Sequence, residues 1–350
     1  MRVLSVVGAR PQFIKLKPVH DALHGVGIGH FIVHTGQHYD AKMSDVFFDG
    51  LGLPSASANL AVGSGTQGQQ TGVMLQKIES VLMQQEPDWV LVYGDTNSTV
   101  AAALAAVKLG LKTAHIEAGL RSFNRSMPEE INRVLTDHAS DLLLAPTKLA
   151  ISNLALEGLA EKSRLVGDVM ADLVSATLPK LDLIAIQEAL GINGDYVVAT
   201  VHRASNTDDE AQVRLLVGAL ASLEVPVVLV AHPRLVSAAR RFGIALNEGS
   251  IRVTEPLGYV AMLSLISGSQ GLITDSGGLQ KEAFLLGVAC TTLRTESEWP
   301  ETLEGGMNVL DPSAANLATL AARSVNKPSS RPFGDGHAAD RIVDLLIATE

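Results

Sequence analysis

The sequence predicts an α/β protein made of two similar parallel-sheet domains, and three observations carry that prediction. Short, almost wholly apolar runs alternate with longer stretches of helical periodicity, the pattern of right-handed βαβ units. The alternation stops near residue 167 and restarts near residue 196. At 350 residues the chain also exceeds what one hydrophobic core comfortably serves.

In the first half, strand runs are expected at 2–7, 29–34, 89–93, 113–116 and 141–144, with helices at 12–23, 67–84 and 99–108. The opening residues end their apolar run quickly and no small-residue cleavage site follows, so they read as a first strand and not as a signal peptide. In the second half, strand runs fall at 196–201, 225–230, 250–253, 271–273 and 289–293, separated by helical stretches such as 208–223 and 259–267. Between the halves, 167–194 holds a helical segment flanked by Gly167-Asp168, Pro179 and a glycine-containing stretch, which reads as a linker region. The expected domains are therefore 1–167 and 168–350, with a final helix at 338–348 able to pack on either. The simplest architecture sets the two domains facing one another.

Hydrophobic residues make up 47% and charged residues 18%, a globular composition. No apolar stretch approaches the roughly 20 residues of a membrane span, so a soluble protein without a membrane partner is expected. The single cysteine, Cys290, excludes an internal disulfide, and the lack of a thiol cluster points to the cytoplasm. Net charge is −10, from 27 basic and 37 acidic residues, and no basic run is dense enough to track a nucleic-acid backbone. An anionic ligand would need arginines and helix N-termini to supply a local positive field.

Three acids sit in short motifs close together: Asp95 in Gly94-Asp95-Thr96, Glu117 in His115-Ile116-Glu117-Ala118-Gly119, and Glu129 in Pro128-Glu129-Glu130. The first two follow apolar strand runs, so both carboxylates should emerge at strand C-terminal ends, where open α/β sheets place their chemistry. Acids converging there can trade protons. Gly8-Ala9-Arg10-Pro11 closes the first strand and opens a helix, so Arg10 beside free backbone N–H groups would make a phosphate site; the alternative is an arginine capping a neighbouring strand. Lys15, one turn on, could reach the same place or lie solvated. No G-x-G-x-x-G follows Gly8, so no dinucleotide cofactor is expected.

In the second half, Asp275-Ser276-Gly277-Gly278 leads from a strand into a helix. Its N–H groups could bind a diphosphate, with Ser276, Gly277 and Gly278 as the cradle and Glu282 chelating a ribose diol; otherwise it is a tight turn with a capping serine. His202 and His232 each follow a strand, where a histidine can hold or protonate a leaving phosphate. No metal is expected, because the chain has no H-E-x-x-H, no cysteine pair and no Ca²⁺-loop spacing of acids.

Together, Gly8-Ala9-Arg10-Pro11, His34-Thr35-Gly36-Gln37-His38, Gly94-Asp95-Thr96, the segment from His115 through Arg121, the segment from Pro128 through Arg133, His202-Arg203 and the segment from Thr274 through Gln280 resemble the non-hydrolysing UDP-N-acetylglucosamine 2-epimerases. The likeness runs from end to end. It implies the B-type glycosyltransferase fold: two Rossmann-like domains facing across a cleft, UDP held mainly by the second and the sugar between them. It also implies a cofactor-free C2 epimerisation of a UDP-sugar through a glycal, in a homodimer. Asp95, Glu117 and Glu129 match the family's catalytic carboxylates. Lys15 matches another active-site position, and His202 and Arg10 match positions that stabilise the departing diphosphate, with Arg133 as a helper. Ser276, Gly277 and Glu282 match the UDP-binding segment.

The chain departs from the family pattern in three places. Ser297-Glu298-Trp299-Pro300-Glu301 stands where members acting on UDP-GlcNAc commonly have Thr-Glu-Arg-Pro-Glu, and Gln280-Lys281-Glu282 where they often have Gln-Glu-Glu. This Gln-Lys-Glu and the opening Gly-Ala-Arg-Pro-Gln-Phe look like the branch acting on UDP-2,3-diacetamido-2,3-dideoxyglucuronate. Lys281 would suit such an anionic sugar if it lined the site; the alternative is a lysine pointing to solvent. Finally, Gln37-His38-Tyr39-Asp40 replaces the Gln-His-Arg that bacterial relatives use for an activating second UDP-GlcNAc, so the resemblance does not carry activation over. A UDP-sugar glycosyltransferase of the same fold is the competing reading.

Overall fold

The structure is a computed structural model that describes residues 1–37, 52–326 and 330–349. It divides into two compact units, residues 1–176 with 331–350, and residues 177–330. The first unit carries strands β1 (Arg2–Val7), β2 (Gly29–His34), β3 (Ala58–Asn59), β4 (Trp89–Tyr93), β5 (Lys112–Ile116), β6 (Leu142–Ala145) and β7 (Ser163–Leu165). They form one seven-stranded parallel sheet in the order β3-β2-β1-β4-β5-β6-β7. The second unit holds β8 (Val197–Thr200), β9 (Val227–Val230), β10 (Ile251–Thr254), β11 (Gly271–Thr274), β12 (Cys290–Thr292) and β13 (Asn308–Leu310), ordered β10-β9-β8-β11-β12-β13 and again parallel throughout.

Both sheets are covered on both faces, which is why their strands read as unbroken apolar runs. Along β8 the alternate residues Val197 and Ala199 pack with Val213, Leu216 and Leu220 of the helix Glu210–Ala221. Tyr196 and Val198 instead join Met262, Leu265 and Ile266 of the helix Tyr259–Ser267. In the first unit, Leu4, Val6, Val90 and Val92 meet Met74, Ile78 and Leu82 of the helix Gln67–Gln85 and the buried alanines of the helix Asn97–Lys108. That alanine stripe lets the two helices approach closely. The start of the second is set by Thr96, whose side chain accepts from the Thr99 N–H while Thr99 Oγ1 accepts from the Thr96 N–H.

The observed boundary corrects the expected one at 167/168. The helix Val169–Thr177 begins in the first unit, tied there to the C-terminal segment. The Asp168 N–H donates to the Phe333 carbonyl at 2.9 Å, and the buried Asp172 carboxylate accepts the N–H groups of Ala338 and Ala339 at 3.0 and 2.7 Å. Asp172 thus caps the helix Ala338–Ala348 from another segment, and this explains why the tail belongs to the first unit. No helix among the described residues is long and apolar enough to cross a membrane.

Candidate active site

In each unit the strand order reverses beside one strand, β1 in the first and β8 in the second, and the segments leaving that strand and the strands near it carry most of the candidate residues. In the first unit two consecutive strands end in left-handed backbone, Gly94 at φ 63° after β4 and Glu117 at φ 73° after β5. Glycine is required at 94, because a Cβ there would lie 2.9 Å from Lys15 Nζ and 3.2 Å from Glu117 Oε2. Glu117 has a Cβ, and a left-handed residue of that kind costs about 1–3 kcal/mol, tolerated where the surroundings over-determine it. Those surroundings are the Lys15 ammonium, paired with the Glu117 carboxylate, and the Leu144 carbonyl, which accepts both the Glu117 and Ala118 N–H groups at 3.1 and 3.2 Å. Lys15 is buried along with Glu117, so it is not a solvated helix lysine.

Asp95 is half-buried and paired with Arg133, whose guanidinium also donates to Glu130 at 3.0 Å. Asn132 Nδ2 donates to the Asp95 carbonyl at 3.0 Å. Arg133 is 2% exposed, so its guanidinium supports acids in this structure before it meets any ligand. Glu129 and Glu130 open the helix Pro128–Ala139, and their environments differ. Glu130 is buried and accepts from Ser122 N–H, Ser122 Oγ and Phe123 N–H at 2.8–3.0 Å, while Glu129 is exposed, one turn before Arg133 and on the same side of the helix.

The expectation of free N–H groups beside Arg10 is not met. Gln12 Oε1 accepts the N–H groups of Gly8 and Ala9 at 2.7 and 3.0 Å, the Gln12 N–H bonds the Ala9 carbonyl, and Pro11 has none. Gln12 Nε2 in turn donates to the Tyr93 carbonyl and Thr99 Oγ1, stitching the loop after β1 to the end of β4. The Arg10 side chain, like His38, Tyr39 and Asp40, lies outside the described residues.

In the second unit the organising group is Asp275, fully buried after β11. It accepts the N–H groups of His202 and Arg203 at 2.9 and 2.8 Å, Asn206 Nδ2 at 3.0 Å, and stands 2.8 Å from His202 Nδ1. Burial alone would push its pKa up; the His202 ring, the Arg203 N–H and Asn206 overcome that and bring it down to about 2. Facing a carboxylate, His202 Nδ1 carries the proton and Nε2 is left on the outer side of a ring that is 37% exposed. The His232 ring lies 5.3 Å from that of His202, and its Nδ1 accepts the Arg234 N–H at 3.1 Å, capping the helix Pro233–Phe242.

Ser276 occupies the N-cap position of the helix Gly277–Leu286, but its hydroxyl makes no capping bond. The N–H groups of Gly277 and Gly278 open that helix. A Cβ on Gly277 would meet nothing closer than 3.8 Å, so glycine there is not demanded by crowding within the protein. Beside it, Arg294 grips Glu298 through two bonds of 2.7 Å, and Arg203 Nη2 stands 3.6 Å from the same carboxylate. Burial works against ionisation of Glu298, yet these guanidinium groups hold it down at about 2. Lys281 does not point to solvent: it is 1% exposed, with Nζ 3.6 Å from the centre of the Trp299 ring. The two departures from the family pattern, Lys281 and Trp299, are therefore one cation–π pair. Glu282, in the second turn of the helix Gly277–Leu286, is also buried, 3% exposed.

The sequence matches the family described as UDP-N-acetylglucosamine 2-epimerase over residues 22–347. The chain belongs to this family. Among its relatives are the UDP-2,3-diacetamido-2,3-dideoxy-D-glucuronate 2-epimerase of Pseudomonas aeruginosa, 45% identical with 99% of each chain covered, and the UDP-N-acetylglucosamine 2-epimerase of Methanocaldococcus jannaschii, 42% identical with the same coverage. The crystal structure of the M. jannaschii UDP-GlcNAc 2-epimerase in complex with UDP-GlcNAc and UDP superposes with a TM-score of 0.92 at 39% identity, covering 99% of this chain and 100% of that one. The UDP-GlcNAc 2-epimerase of Neisseria meningitidis bound to UDP-GlcNAc gives 0.87 at 28% identity, with the same coverage. The fold is α/β, and these epimerase neighbours are of the B-type glycosyltransferase kind.

Several supporting residues of this epimerase-family chain escaped the sequence reading: Gln12, Asp137, Asp275 and the Lys281–Trp299 pair. Asp275 sat inside a segment already singled out, and an acid directly after a strand was the available signal. Asp137 and Gln12 carried none, since each acts on loops distant in sequence.

Proposed function

We propose that this protein interconverts UDP-GlcNAc and UDP-ManNAc by epimerisation at C2. C2 of such a sugar has no adjacent carbonyl, so its proton becomes removable only as UDP leaves C1. The intermediate is 2-acetamidoglucal, and UDP adds back after a proton reaches the opposite face. Asp95, Glu117 and Glu129 carry the protons between them. Lys15 orients Glu117, Arg133 orients Asp95, and His202, fixed by Asp275, meets the departing diphosphate together with Arg10. The helix start at Ser276, Gly277 and Gly278 holds the diphosphate, while Glu282 serves the nucleoside side and His232 supports His202. The observation that carries this reading is the pair of adjacent strand ends, each presenting an acid already matched to a buried cation.

Incubation with UDP-GlcNAc alone in deuterated water tests it. Deuterium at C2 and appearance of UDP-ManNAc are expected; no exchange with any UDP-2-acetamido sugar would sink the proposal, and sugar transfer without exchange would mark a glycosyltransferase. The relative from P. aeruginosa favours a second substrate, UDP-2,3-diacetamido-2,3-dideoxyglucuronate. Competing the two sugars in one assay ranks them by kcat/KM. We place the enzyme in the cytoplasm as a homodimer, which fractionation and sedimentation would check.

A further inference from the structure

The segment that carries Glu117 is clamped by one buried carboxylate on another element. Asp137, on the helix Pro128–Ala139, accepts from His115 Nδ1 at 2.6 Å, from the Gly119 N–H at 3.1 Å and from Arg121 Nη1 at 2.7 Å. Glu117 lies at the middle of that clamped stretch. The far side of the His115 ring places Nε2 2.7 Å from the Gly94 carbonyl, on the residue before Asp95. A second tie comes from Asn153, whose Nδ2 donates to the Gly119 carbonyl at 3.0 Å. Only glycine fits at 119, since a Cβ there would lie 2.5 Å from the Ala150 carbonyl oxygen.

The hydrogen-bond partners also fix where His115 carries a proton. Asp137 is held as the anion, because burial opposes its charge but His115 and Arg121 more than compensate and bring its pKa below the usual range. Nδ1 of His115, which faces that carboxylate, therefore donates to it. Arg121 completes the set by gripping Glu157 with two bonds of 2.7 Å. Breaking such a buried set at one member costs far more than a surface pair would.

We propose that Asp137, acting through His115, is the positioning residue that holds the Glu117 turn and the Gly94–Asp95 turn at their working separation. The same helix carries Glu129 and Arg133, so the three acids are referenced to one carboxylate. This rests on the epimerase reading, since positioning has meaning only for a reacting pair. A displacement of about 1 Å in a catalytic group can cost on the order of 100-fold in rate.

The test uses the full chain. In ¹⁵N-histidine-labelled wild-type protein near pH 8, where exposed histidines are neutral, His115, assigned with His115→Gln, is expected to show a protonated Nδ1. Asp137→Asn is expected to lower kcat by roughly 10- to 100-fold with KM changed by less than about threefold. Should that variant not fold, Glu157→Gln, at the partly exposed end of the network, is expected to keep the fold and lower kcat a few-fold with KM again held. An unprotonated His115 Nδ1, a folded variant with wild-type kcat, or a rise in KM that matches the loss in kcat would overturn the proposal. If the wild type shows no C2 exchange, the epimerase reading falls, and the nitrogen spectrum still judges the His115–Asp137 pair by itself.

Discussion

The two units place acids and bases in opposite roles. In the first, the acids Glu117 and Asp95 stand at strand ends, Glu117 buried together with Lys15 and Asp95 half-buried over the more deeply buried Arg133. In the second, the acids Asp275 and Glu298 are the buried support, and His202 and Arg203 are the partly exposed groups they hold. Proton transfer at carbon needs carboxylates presented to substrate, whereas holding a departing diphosphate needs hydrogen-bond donors and positive charge. Near-identical sheet topology thus sets acids at the strand ends of one unit and partly exposed donors at those of the other, which suits the two halves of the proposed reaction.

Four measurements break or sharpen that contrast. Glu117→Gln should carry the largest effect, a loss of turnover of about 1,000-fold or more with UDP affinity within a few-fold, since a proton carrier is removed and no diphosphate contact is. A matching loss of UDP affinity in calorimetry would show that the first unit also does the holding. Asp275→Asn should weaken UDP binding and turnover together by roughly 10- to 100-fold, because His202 loses the partner that orients it. If only turnover fell, Asp275 would belong with the proton carriers.

The third measurement concerns acid stability, where the first unit carries a group unrelated to either site. His30 Nδ1 stands 3.0 Å from His20 Nδ1, and its Nε2 stands 2.7 Å from Ser5 Oγ, in a chain that ends at the Tyr93 hydroxyl. Burial, with His20 adding to it, lowers the His30 pKa to about 3. The folded protein then binds fewer protons than the unfolded chain below the unfolded value near 6.5, so stability is full above that pH and falls as pH drops towards 3. Between pH 7 and pH 5 the loss should be about 2 kcal/mol. In chemical denaturation at pH 7 and at pH 5, His30→Gln should flatten the slope; an unchanged slope would transfer the acid sensitivity to the paired carboxylates. The smallest effect is expected from Lys281→Met, about 1–2 kcal/mol of stability from the lost contact with Trp299, with kcat retained. A large change in sugar preference instead would make Lys281 part of the substrate site.

Much of this was readable beforehand. β4 and β5 were legible because parallel strands buried on both faces are apolar throughout, and an acid directly after such a run, as at Glu117, can only lie at the strand end. Ala58–Asn59, Ser163–Leu165 and Asn308–Leu310 were not, since two or three partly exposed residues make no run. Glu129 and Glu130 look alike in sequence, and only their directions on the helix send one to solvent and the other to Ser122. Lys281 and Trp299 were noticed separately and are in contact.

The sequence by itself determined the α/β class, the two repeats of strand and helix, the family and the strand ends that carry the candidate residues, because these depend on local apolar patterning and on motifs contiguous in the chain. Tertiary structure alone decided which cation meets which acid, that Gln12 consumes the N–H groups beside Arg10, that the final helix joins the first unit, and that Asp137 and Asp275 are the anchors. Those outcomes hang on charges and hydrogen bonds between segments far apart in sequence. Such a bond forms only where folding brings a donor and an acceptor together away from water, and burial then makes leaving either one unpaired costly.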